Sequence, residues 1–113
     1  MALDNSAYDS LEKAYFRIKQ HLESVQLGPE HSSMIIKHEE LTETLENFDI
    51  EAIEEQSQDI HFLHDKLNDI KELADSIVDV LEENQNTAPI TLRVTDGLDR
   101  IFTKIQDITP KNL

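Results

Sequence analysis

The chain has 113 residues, no cysteine, and a formal net charge of −14 from 24 acidic and 10 basic side chains. One domain is expected at this length; disulfides, thiolate metal sites and a cysteine nucleophile are excluded; and a negative field disfavours direct nucleic-acid binding, which relies on neutralising phosphates. Two Gly and three Pro supply too little turn chemistry for a many-stranded sheet. No apolar run approaches the roughly eighteen residues of a membrane helix, and the start carries neither a basic nor an apolar stretch, so a cytoplasmic protein without membrane contact is the default expectation.

In chain order, Asp4, Asn5 and Ser6 are N-cap candidates, and Tyr8, Leu11, Tyr15, Ile18, Leu22 and Val25 come after them at helical three–four spacing. Gly28 and Pro29 end that helix. A second helix is predicted to start near Glu30 to Ser33, with Met34, His38, Leu41, Leu45 and Phe48 on its seam. Asn47, Phe48 and Asp49 read as a tight connection. Asp49 would cap a third helix, packed as an antiparallel neighbour of the second.

Residues 50–83 contain no Gly or Pro. Ile53, Ile60, Leu63, Leu67, Ile70, Ala74, Ile77 and Leu81 form a heptad-like seam, with Gln56 as one polar interruption. The spacing predicts one long central helix of about 50 Å. Leu73, Val78 and Val80 widen its apolar face, which implies packing against two or more helices. The residues 84–87 read as a polar loop, with Pro89 tolerated in a first helical turn. Beyond it, Ile90, Leu92 and Val94 alternate like a strand, whereas Val94, Leu98, Ile101, Ile105 and Ile108 have helical spacing, so a fourth helix is expected over about 96–107. The fold class is therefore all-α, an antiparallel three- to four-helix bundle in a single domain 1–113, with 90–113 the candidate for a mobile or regulatory helix.

The charge is unevenly placed. From residue 30 to residue 83, seventeen acids face only Lys37, Lys66 and Lys71, whereas from Arg93 onward four bases face three acids. An acidic face of this kind is a solvated helix surface or the docking side for a basic partner. Among five histidines, His38 sits on a seam, where a hydrogen-bonded, partly buried ring is expected. His61 and His64 share a face of the long helix beside Asp65, but without further ligands they read as surface residues, and no metal site is expected from them.

Glu39, Glu40, Leu41, Thr42 and Glu43, followed by Glu72, Leu73, Ala74 and Asp75, resemble the EExxE…ExxD motif of the MazG-type all-α nucleotide pyrophosphohydrolases. The resemblance covers about residues 34–83, including the apolar context of Ile35, Ile36, Ile77 and Val78. It implies Mg²⁺ held by Glu39, Glu40, Glu43, Glu72 and Asp75 for phosphoanhydride cleavage, since hard cations take oxygen ligands. An unbroken helix over 50–83 would hold the two halves about 22 Å apart. A second resemblance covers about residues 36–73. Glu40, Leu41, Leu45, Asn47, Phe48, Asp49, Ile50, Glu51, Ala52 and Ile53, on to Leu63 and Leu67, are similar to flagellar export chaperones of the FliT and FlgN type. That likeness implies a small acidic helical hairpin that holds a partner protein.

The expected function is accordingly a non-enzymatic protein-binding module of the chaperone, adaptor or regulator kind, working without a cofactor. Its partner would be a protein that is basic or presents an amphipathic helix, bound in an apolar groove. Candidate contacts are Phe62, Leu98, Ile101, Phe102 and Ile105, with Phe16 and Ile36 also off their helices' seams; completion of the bundle core or of a homodimer is the alternative use of these residues. Two other readings stand beside it. One is the MazG-like Mg²⁺-dependent enzyme or an inactive relative. The other is an acidic mimic of DNA that blocks a nucleic-acid-binding protein, using the acids of 39–55 with Asp59, Asp65, Asp69, Glu72, Asp79 and Glu82.

Overall fold

The computed structural model describes residues 6–83 and 88–108. Among these, the chain forms α1 (Ser6–Ser24), a 3-10 turn (Pro29–His31), α2 (Ser32–Asn47), α3 (Ile50–Gln56), α4 (Ile60–Glu82) and α5 (Ala88–Ile108), with no strand. The candidate caps Asp4 and Asn5, the loop 84–87 and the segment 109–113 lie outside the described residues.

Four long helices make the bundle. Helix α1 packs chiefly on α4, and α4 on α5, while α2 lies against α1 and α5. The chain runs up and down in turn. Tyr8 at the start of α1 meets Phe48 after α2, Arg17 farther along α1 reaches Leu81 and Glu82 at the end of α4, and Lys66 and Lys104 pair with Asp107 and Asp69 across α4 and α5. Consecutive long helices are thus antiparallel, whereas α1 with α4 and α2 with α5 run parallel. Helices α2 and α4 stand on opposite corners. The expected pairing of α2 with the long helix as neighbours is corrected here: the chain crosses the end of the bundle between them.

That crossing also divides the helix expected over 50–83. Asp49 caps α3, accepting from Ala52 N at 3.1 Å, and α3 buries Ile50 and Ile53. The helix then stops. Ser57 Oγ and Asp59 hydrogen-bond to each other's backbone or hydroxyl, and Asp59 Oδ1 accepts from Phe62 N at 3.0 Å as the N-cap of α4. Ser and Asp compete with helical hydrogen bonding in this way. Gln56, Ser57, Gln58 and Asp59 offer no apolar side chain, so nothing in the core opposes the break.

The core is continuous through all five helices. Helix α1 centres its buried face on Ala7, Leu11, Ala14, Ile18 and His21, with Tyr8, Tyr15 and Leu22 flanking it; Val25, expected on its seam, falls past its end. Helix α4 buries Leu67 and Val78 as well as Ile70, Ile77 and Val80, the wide face anticipated for a helix with two neighbours. Helix α5 starts at Ala88 rather than near residue 96, and Ile90 and Val94 are core residues in helical register. Thr95 lies within this helix, and its hydroxyl donates back to the carbonyls of Thr91 and Leu92 at 3.1 Å. Gly97 sits inside α5 where a Cβ would lie 3.1 Å from Ile77 Cγ1, so its absence lets α4 and α5 approach closely.

Candidate functional site

The site builds up where α2 ends. Phe48 and Ile53 are buried on either side of the turn into α3, and the two segments face the last turns of α5. Phe102 and Ile105 pack against the core only partly. Together with Ala52 they floor a groove of about 510 Å³, edged by Glu40, Glu43, Thr44, Asn47, Asp49, Gln56 and Gln106. The opening is marked on α5 by a change in burial. Leu98 and Ile101 are 0% exposed and Ile108 is buried, whereas Ile105, between them on the same helical stripe, is half-buried where it faces the groove.

Electrostatically the groove is one-signed. Glu40, Glu43 and Asp49 line it, and among the described residues no Lys or Arg does. The basic side chains of the surrounding helices are engaged elsewhere. Lys37 forms an ion pair with Asp99; the hydrogen bond to that carboxylate raises the lysine's pKa above its ordinary value. Lys66 pairs with Asp107 and lies 5.3 Å over the Phe62 ring, and Lys104 pairs with Asp69.

A second depression of about 670 Å³ lies between α4 and α5, lined by Asp69, Glu72, Asp99, Arg100, Lys104 and Asp107 among others. It is larger but has Leu73 as its sole apolar lining residue among those described, and bases answer its acids. Its chemistry is that of a charged helix–helix seam.

Of the residues expected to touch a partner, the structure brings Phe102 and Ile105 into the groove. Leu98 and Ile101 are in the bundle core and present no surface. Phe62 is 44% exposed near the start of α4 and, like the exposed Phe16 and Ile36, does not line the groove. Phe48 and Ile53, which do, read in the sequence only as seam residues.

The carboxylates of the MazG-like motif are not assembled. Glu39, Glu40 and Glu43 are exposed on α2, and Glu72 and Asp75 are exposed on α4, at the opposite corner of the bundle. Glu40 and Glu43 edge the groove, whereas Glu72 edges the α4–α5 depression. The break at 57–59 does not reunite them, because it carries α4 across to that far corner. Among the described residues, no three His, Asp or Glu side chains are grouped to hold a metal ion.

The histidines divide by burial. His61 and His64 are exposed. His38 stacks on Tyr15 at 4.3 Å between centroids, and its Nε2–H donates to the Tyr15 carbonyl at 3.1 Å; burial lowers its pKa. His21 and His31 are both buried at the far end of α1. His31 Nδ1 accepts from the Gly28 amide at 2.9 Å, and His21 Nε2 has no hydrogen-bond partner among the described residues. Burial first, then His31 and Arg17, lowers the His21 pKa. The spacing of Leu11, Ala14, Ile18 and His21 was the available signal for that burial.

Fold and groove together define, among the described residues, an acidic four-helix bundle with an open, apolar-floored groove. No helix among the described residues is long and apolar enough to cross a membrane. Comparison with family models, curated proteins and solved structures finds no match.

Proposed function

We propose that this protein is a protein-binding module whose partner docks in the groove between α2, α3 and α5. The observation that carries the reading is the half-buried pair Phe102 and Ile105, set beside Phe48 and Ile53 in an open groove. Core-facing apolar side chains left partly in water gain from burial by about 25 cal/mol per Å², and aromatic anchors in a depression are the usual centres of binding energy. The scattered exposed residues Phe16, Ile36 and Leu92 sit on outer faces and need no such explanation.

The test compares capture from an extract of the native host. Wild-type protein and a Phe16→Asp, Ile36→Asp variant are expected to retain the same partner, and a Phe102→Asp, Ile105→Asp variant that keeps its helical circular dichroism is expected to lose it. Retention by the groove variant, or loss from both variants, would overturn the reading.

A further inference from the structure

We infer that the occupant of the groove is a short basic amphipathic helix of a partner protein. Its apolar stripe lies on Phe48, Phe102 and Ile105, and its Lys or Arg side chains face Glu40 and Glu43. This rests on the groove being the docking site, and three observations select the occupant.

On the stripe of α5 that fills the core at Leu98, Ile101 and Ile108, Ile105 alone is left half-buried, and Phe102 beside it is half-buried too, both at the groove. Another helix supplies the missing cover by the ridge-and-groove packing the bundle already uses. From Glu40 to Asn47 the groove follows α2 for about 10 Å, two helical turns. Over that length a docked helix places anchors at i, i+3 or i+4, and i+7. The described lining holds carboxylates without a base, and the nearby Lys37 is paired with Asp99, so the attraction is for cations. A second copy of this chain would bring another −14 charge against the first. A small molecule would meet an open trough without convergent buried polar groups.

The probes are three synthetic peptides sharing one Leu stripe at helical spacing, with Lys, Gln or Glu on the polar face. Binding is read by fluorescence anisotropy against the full chain. The Lys peptide is expected to bind wild-type protein about tenfold more tightly than the Gln peptide, with the Glu peptide weaker still. Glu40→Lys with Glu43→Lys is expected to weaken the Lys peptide about tenfold. Glu72→Lys with Asp75→Lys, the same change in net charge on the opposite corner, is expected to change it less than about twofold.

Equal binding of Lys and Gln peptides, both abolished by Phe102→Asp, would overturn the basic occupant while leaving the groove as the docking site. Equal weakening by the two charge reversals with no effect of Phe102→Asp, or no binding of any peptide, would overturn the groove itself. A dimer in sedimentation that Phe102→Asp dissociates would assign the groove to a second copy and overturn the inference.

Discussion

The Arg17 guanidinium on α1 donates from Nη2 to the main-chain carbonyl of Leu81 at 2.9 Å, while its Nε holds Glu82 at 3.0 Å. Leu81 is in the last turn of α4, where carbonyls lack helical donors and carry the negative end of the helix dipole. One planar cation therefore ties two parallel helices together at the same end. Parallel packing gives α1 and α4 no dipole attraction of their own, so this contact supplies an attraction that an antiparallel pair would not need.

Replacing Arg17 with Lys keeps the charge but loses the fork that serves both acceptors. Arg17→Lys is expected to lower the free energy of unfolding in urea by about 1 kcal/mol. Glu82 is largely exposed, and Glu82→Gln is expected to cost no more than about 0.5 kcal/mol. A larger loss for Glu82→Gln than for Arg17→Lys would show that the ion pair, rather than the carbonyl contact, holds the helices.

Gly97 trades helix propensity against helix spacing. Alanine there would gain about 1 kcal/mol of intrinsic helix stability, but its Cβ would stand 3.1 and 3.2 Å from Ile77 Cγ1 and Cδ1, inside the 3.5–4.0 Å or so of a relaxed carbon contact. Gly97→Ala is expected to change stability by less than about 1 kcal/mol. Gly97→Val presses further methyl groups against buried Ile77 and is expected to cost about 2 kcal/mol. A Val variant with an unchanged urea midpoint would show that α4 and α5 separate freely.

Periodicity reads the helices well because each buries a face, and α4 shows its two neighbours in the breadth from Leu73 to Val80. It does not say which neighbours. A stripe records how much of a helix is covered, not by what, so a short connection suggests that α2 and α4 are adjacent although the chain crosses between them. The break has a local signal in Ser57 and Asp59, outweighed in the sequence by the seam resuming at Ile60, which the structure leaves exposed at the start of α4. In α5 the alternation of Ile90, Leu92 and Val94 mimics a strand because Leu92 happens to be exposed. Half of the groove is legible: Phe102 and Ile105 stand out in the sequence, whereas Phe48 and Ile53 join them only through the tertiary path of α3. The motif residues Glu40 and Glu72 match a pattern in sequence that the topology separates.

The buried histidines set a pH limit on the fold. The folded-state pKa values of His21 and His38 lie below 6.5, chiefly because burial disfavours the charged ring. In the unfolded chain both titrate near 6.5. Above that pH the rings are neutral in both states and their contribution is level. As pH falls below about 6.5 the unfolded chain takes up protons first, so stability declines until the folded-state values are reached. For His21 charged neighbours add to the effect, since Arg17 stands on the same helix and His31 faces it from the 3-10 turn. Urea melts at pH 7.5 and 5.5 are expected to show lower stability at the acidic value, with His21→Leu reducing the difference. An identical pH dependence in His21→Leu and wild-type protein would show that His21 does not limit the fold in acid.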